Sequence, residues 1–207
     1  MARKEGVKIN EQTNFTLIGV AAGAVHQGIA ALVKPVWKES MDQLLATDKA
    51  NKGLFVACDQ VTDPQNLGAI IRSCAAFGAK GVILPERSSA KITGTVVKAS
   101  AGTIVHVKVC VVKNLVKALM AIRQKGIMVI GLAAEGRHKI WSHDLTGPLV
   151  FVAGAEDKGL RHLVKKSCHK LLNIPCAPKI ESLNVSSAVS VALYEAARQR
   201  ESASKLF

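Results

Sequence analysis

From Leu54 onward, short apolar runs recur at intervals, and most are followed by a stretch with helical spacing. This alternation constrains the fold more than any other feature of the chain. Residues 54–58, 81–84, 105–109, 127–132, 149–153 and 171–174 read as strands. They are almost continuously apolar, as strands buried on both faces are. Residues 66–77 read as a helix, with Ile70, Ile71, Cys74 and Phe77 at helical spacing. Leu115, Leu119 and Ile122 suit a second helix that stops at Gly126. A third lies near 160–168, and a long final helix spans 184–200. The order predicts an α/β fold, a parallel sheet with helices on both faces. Ligands bind at the carboxyl ends of the strands in such sheets. The loops after Cys58, Leu132, Ala153 and Ile174 are therefore the candidate site.

Residues 1–53 differ in character. Polar, turn-rich stretches surround one short segment, His26-Gln27-Gly28-Ile29-Ala30-Ala31-Leu32-Val33, which is too small to bury a core. Two domains are expected: an N-terminal appendage over 1–53 and the α/β domain over 54–207. No apolar run is long enough to span a bilayer, and the start is charged. A cytoplasmic protein is expected.

The net charge of +13 favours a polyanionic partner, since cations that neutralise phosphates release counterions. Aromatic residues make up only 4% of the chain, which argues against a platform for stacking single-stranded bases. Five cysteines, Cys58, Cys74, Cys110, Cys168 and Cys176, form no C-x-x-C pair and read as reduced thiols. No histidine has a carboxylate-supported partner at metal-ligand spacing, so no metal is expected. Ser142-His143-Asp144 is a contiguous tripeptide rather than a spatial triad.

Three segments are candidates for chemistry. In Asp59-Gln60-Val61-Thr62-Asp63-Pro64-Gln65-Asn66-Leu67-Gly68-Ala69-Ile70-Ile71-Arg72-Ser73, Asn66 suits a helix cap or first turn. Helical side chains lean toward the N-terminus, so Arg72 can reach back toward Asn66. In Val152-Ala153-Gly154-Ala155-Glu156-Asp157-Lys158-Gly159-Leu160 a strand enters a glycine-containing turn that lets backbone N–H groups approach a ligand. It lacks the G-x-G-x-x-G fingerprint, which weighs against a dinucleotide enzyme. The third is Asn173-Ile174-Pro175 followed by Glu181-Ser182-Leu183-Asn184-Val185-Ser186-Ser187-Ala188, in which Ser182 or Asn184 is a candidate cap. Taken alone, the first is better read as a helix cap with a solvated arginine, the second is a weak signal, and the third fits an ordinary cap.

In this order and spacing, the three together resemble the SpoU branch of the SPOUT RNA methyltransferases, over about residues 54–200. They are most similar to the enzymes that 2′-O-methylate a guanosine of large-subunit ribosomal RNA. The resemblance implies an α/β domain with a C-terminal trefoil knot, which the periodicity does not reveal. It implies S-adenosylmethionine as cofactor, with Gly154, Ile174 and Leu183 at the adenosine and Leu132 and Ala133 lining the pocket. It implies a homodimer, for which Val189, Leu193 and Ala196 of the final helix are a candidate interface stripe; packing on its own sheet is the equal alternative. Asn66, Arg72, Glu156, Ser182 and Asn184 take the catalytic positions. A guanidinium, ionised to above about pH 12, is a poor proton acceptor. Gripping phosphate and orienting the ribose suits Arg72 better. Residues 26–30 resemble the stretch that follows the family's N-terminal RNA-binding domain, of which 1–53 would be a remnant.

Asp157-Lys158 departs from the small or uncharged residues usual after the motif glutamate; Asp157 is expected to face solvent. Lys158, Arg161, Lys165, Lys166 and Lys170 form a run without an acidic residue, a candidate RNA surface together with Arg72. Arg87, Lys91 and Lys98 are a second patch. A transfer RNA substrate, and a catalytically silent RNA-binding relative, are the competing readings.

Overall fold

The computed structural model describes residues 2–11, 31, 38–46 and 53–204. The segment 26–33 singled out above lies, apart from Ala31, outside the described residues. The chain divides into two units, Met1–Pro35 and Val36–Phe207. In the first, the described residues include a 3-10 turn at Ala2–Glu5.

The second unit opens with β1 (Lys38–Glu39) and α1 (Met41–Leu45). There follow β2 (Leu54–Asp59), α2 (Pro64–Ala76), β3 (Gly81–Pro85), α3 (Gly94–Ala99), β4 (Lys108–Val112), α4 (Leu115–Gln124) and β5 (Met128–Leu132). The chain ends with β6 (His138–Lys139), β7 (Leu149–Gly154), α5 (His162–Ser167), β8 (Lys170–Asn173) and α6 (Val185–Ser204). All eight strands join one sheet, in the order β1-β4-β3-β2-β7-β5-β8-β6. Every pairing is parallel, as the continuous apolar runs imply.

Successive residues of β2 feed opposite faces of the sheet. Leu54, Val56 and Cys58 pack under α2, α3 and α6 with Ile70, Ile71, Val96, Val189 and Leu193. Phe55 and Ala57 pack on the other face with Leu44 of α1, Leu119 and Ile122 of α4 and Val164 of α5. Val189, Leu193 and Ala196 are fully buried in the first of these layers. The stripe is thus core within its own subunit, and α6 exposes Val191 and Tyr194 instead.

Several element boundaries differ from the sequence expectation. Residues 105–109 do not form the third strand, because Thr103–His106 wind into a 3-10 turn that exposes Val105 and buries Ile104. Strand β4 starts at Lys108, where its register with Gly81 begins. The sheet also recruits residues before Leu54: Lys38 and Glu39 pair with Val109 and Cys110, and Leu44 is buried beneath them. The short α3 was not expected either. Cys58, Cys74 and Cys110 are buried free thiols; loss of solvation pushes Cys58 up to about 12 and Cys110 up to about 11. Among the described residues, no helix is long and apolar enough to cross a membrane.

Candidate active site

Strand β2 delivers the chain into α2. Asp63, not Asn66, caps this helix: its Oδ1 accepts from Gln65 N at 3.0 Å, and Pro64 occupies the first helical position. Asn66 therefore lies inside the first turn, buried, with its side chain free for another partner. That partner is Asn184, whose Nδ2 donates to Asn66 Oδ1 at 2.9 Å.

Asn184 itself caps α6. Its Oδ1 accepts from the backbone N of Ser186 at 2.9 Å and from Ser186 Oγ at 2.6 Å. Because Oδ1 faces backbone N–H groups, the amide orientation is fixed and Nδ2 can only donate. The same Nδ2 also donates to Glu156 Oε1, in the turn after β7. Residues from all three sequence segments thus meet at one side-chain amide.

Beside them is a cleft of about 380 Å³, within the size range of small-ligand sites. Its walls come from the loops after β5 (Leu132, Ala133, Glu135), β7 (Gly154, Glu156, Lys158) and β8 (Ile174, Cys176), with Ser182 and Leu183 ahead of α6. These are the carboxyl ends of parallel strands, as expected for an open α/β sheet. Gly154 has a strict reason to be glycine: a Cβ there would fall on the backbone of Gly159 and Leu160 as the turn folds back on itself. An isolated bridge pairs Ala155 with Gly159, which takes φ +61°.

The expected site residues divide into three groups. Leu132, Ala133, Gly154, Glu156, Lys158, Lys165, Ile174, Ser182 and Leu183 all line the cleft. Asn66 and Asn184 reach it through Glu156. Arg72, Arg161 and Lys166 stand outside its lining. Arg72 is exposed on α2, without a hydrogen bond to Asn66 or to any other described residue.

The basic run is also more committed internally than its sequence suggests. Lys165 Nζ lies 2.5 Å from Glu135 Oε1 across the cleft, and this bond holds the Glu135 carboxyl below its usual range. Arg161 is bound to Asp59 at the end of β2. Lys158 is 4.0 Å from Asp157, which faces solvent as expected. Lys166 is exposed and has no ion-pair partner among the described residues. Asp59, Glu135 and Cys176 were not singled out from sequence. The first two act through partners 102 and 30 residues away, and no local pattern marks such a pair.

Residues 53–194 match the model of the SpoU rRNA Methylase family. An "Uncharacterized tRNA/rRNA methyltransferase" of Mycolicibacterium vanbaalenii is 43% identical over 98% of this chain and 65% of its own length. The 23S rRNA (guanosine-2′-O-)-methyltransferase RlmB of Vibrio cholerae is 41% identical over 94% of this chain and 79% of its own. The solved SpoU methyltransferase AviRb of Streptomyces viridochromogenes, in complex with AdoMet, superposes with a TM-score of 0.72 at 29% identity. That match covers 78% of this chain and 66% of AviRb. The chain spans about two thirds of the length of the mycobacterial relative. With the family model matched over more than half of its residues, and the three segments joined around one cleft, this chain belongs to the SpoU rRNA methylase family.

Proposed function

We propose that this chain methylates a ribose 2′-hydroxyl of RNA, using S-adenosylmethionine, and that its substrate is a guanosine of large-subunit ribosomal RNA. The observation that carries this reading is the junction of Asn66, Glu156 and Asn184 beside a cleft of cofactor size. The cleft suits the cofactor chemically as well. Leu132, Leu172, Ile174 and Leu183 offer apolar walls to an adenine ring. Lys165 offsets Glu135 and Lys158 lies beside Asp157, which leaves Glu156 and Glu181 as lining carboxylates without a cation against them among the described residues. Such a lining favours a ligand that carries a sulfonium and an ammonium group.

When bound, S-adenosylmethionine supplies an electrophilic methyl group. The protein's part is to position and polarise the hydroxyl that attacks it. Asn184, held by its capping bonds, donates to both Asn66 and Glu156 and so fixes the Glu156 carboxylate at the cleft edge. Ser182 adds a hydroxyl to the lining. Arg72, exposed on α2 and without a hydrogen bond to another described residue, grips a neighbouring phosphate and orients the ribose. Lys158 and Lys166 supply further phosphate contacts.

The trefoil knot belongs to this proposal. Strand β7 lies between β2 and β5, β8 lies beyond β5, and the chain then returns to lay α6 against α2. Such a path supports passage of the C-terminal segment through an earlier loop. We also assign catalysis to the α/β domain, RNA recruitment to residues ahead of it, a homodimer as the working state, and the cytoplasm as the location. A transfer RNA substrate is the second reading, favoured by the paired tRNA/rRNA name of the mycobacterial relative. Mapping ribose methylation in cells with and without the gene separates the two. Loss of one 2′-O-methyl group in large-subunit ribosomal RNA is expected. Loss in transfer RNA supports the second reading, and an unchanged ribose map contradicts both.

A further inference from the structure

Asp59 is fully buried at the last position of β2, yet it carries a carboxylate. Three donors meet that carboxylate, all from one residue. The backbone N of Arg161 donates to Oδ2 at 2.9 Å, its Nε donates to Oδ1 at 2.7 Å, and its Nη2 lies 2.6 Å from Oδ1. The guanidinium fork and the main chain of Arg161 are thus fixed together, a geometry only arginine provides.

The location of this pair gives it a function. In the β2–β7 register, Asp59 is the partner of Gly154. Between Gly154 and Arg161 lie six residues, Ala155 to Leu160, and every one of them lines the cleft. Asp59 therefore holds the cofactor turn at both ends: by strand pairing where it leaves β7, and by the ion pair where it enters α5. The turn carries Glu156, which meets Asn184. Immediately after Asp59, Gln60 takes φ +62° and sends the chain toward α2 with Asn66 and Arg72.

Resting on the cofactor reading given above, we infer that Asp59 and Arg161 form a positioning pair that sets the 155–160 turn for cofactor binding and aligns it with the start of α2. Arg161 is then committed to Asp59 instead of to RNA phosphate, although its sequence context places it in the basic run. The two roles differ in what they control. A positioning pair governs the affinity for the cofactor, whereas a phosphate contact governs the affinity for RNA.

The test measures binding of S-adenosylhomocysteine to the full chain by calorimetry, and steady-state methyl transfer with the cofactor and RNA varied separately. The variants are Asp59→Asn, Arg161→Ala, Arg161→Lys and the Asp59→Asn/Arg161→Ala double variant. Loss of hydrogen bonds between charged groups predicts cofactor binding weakened by roughly tenfold to a hundredfold in Arg161→Ala. A smaller loss is expected in Arg161→Lys, and a double variant no worse than the poorer single. The KM for cofactor rises while the KM for RNA does not. Arg161→Ala leaves the buried Asp59 carboxylate without its cation and is strongly destabilising, so thermal melts accompany every variant, and the double variant, which removes both charges, keeps the test readable where a single variant unfolds. Unchanged cofactor binding in Arg161→Ala, or a rise confined to the KM for RNA, overturns the inference. If the unaltered chain binds no S-adenosylhomocysteine, the cofactor reading itself falls, and the inference falls with it.

Discussion

Asn184 donates from Nδ2 to Oδ1 of Asn66 at 2.9 Å, joining residues 118 positions apart. Its Oδ1 at the same time closes the first turn of α6. One side chain therefore starts a helix and ties the three sequence segments together. Asn184→Ala removes both functions. A lost cap costs about 1 kcal/mol of stability, and loss of the tie that positions Glu156 lowers the rate of methyl transfer by about a hundredfold. Denaturant titration and labelled methyl transfer, measured on the same preparation, separate the two effects.

Arg72 has no hydrogen-bonding partner among the described residues and stands outside the cofactor cleft. Arg72→Ala is expected to bind S-adenosylhomocysteine as the unaltered chain does, and to lose about a hundredfold or more in transfer. Arg72→Lys keeps the charge without the fork and recovers only part of the rate. Calorimetry and transfer assays check both. An Arg72→Ala chain with full activity removes Arg72 from the site.

Gly154→Ala places a methyl group against the backbone of Gly159 and Leu160. Backbone cannot move aside as a side-chain tip can, so the turn must open. Overpacking of this kind costs about 1–3 kcal/mol. Here it also displaces the cleft lining, and cofactor binding should fall with stability. Thermal melts with and without S-adenosylhomocysteine read both, since a chain that binds the ligand melts higher in its presence. Gly154→Ala should lose that increment.

Gln199 fastens α6 to the segment before β7, accepting from Leu145 N and donating to His143 O, and Glu195 holds it in place from within the helix. Glu195 accepts from Arg198 Nε at 2.8 Å and Nη2 at 2.7 Å, while Gln199 also donates to it. The Arg198 bonds hold the Glu195 carboxyl below its usual range. The unfolded chain, with an ordinary carboxyl near about 4.3, then binds more protons than the folded one in the window between the two values. The stabilisation is present above that ordinary value and is lost as the pH falls through the lower folded one. Urea midpoints at pH 7 and pH 3 should converge between the unaltered chain and Glu195→Gln at the acid end.

Much of the sheet is legible in the sequence because strands buried on both faces must be apolar throughout, as 54–58 and 149–153 are. β1 escapes such reading: its Lys38-Glu39 is polar and pairs at an edge of the sheet. The helix α3, Gly-Thr-Val-Val-Lys-Ala, is short and rich in β-branched residues, so its local preference points away from helix. Within the site, the three segments are visible as motifs, but the bonds between them are not. The Asp59–Arg161, Lys165–Glu135 and Asn66–Asn184 contacts depend on strand order, and strand order leaves no local trace. Asn66 shows the consequence: a plausible cap by composition, it gives that role to Asp63 and turns inward.

The same internal pairing refines the proposed RNA surface. Lys166 has no ion-pair partner among the described residues, whereas Lys165 is held by Glu135. Lys166→Glu should weaken RNA binding and lower the slope of log affinity against log salt by about one contact's worth. It should leave the affinity for S-adenosylhomocysteine unchanged. Filter binding across a salt series checks this.

The most direct measurement supplies the chain with S-adenosylmethionine labelled in its methyl group and large-subunit ribosomal RNA lacking its own ribose methyl groups, then digests the RNA to nucleosides. Label recovered in a 2′-O-methylguanosine, and absent with Arg72→Ala, is the predicted result. Label on a base, or none transferred by a chain that binds the cofactor, contradicts it.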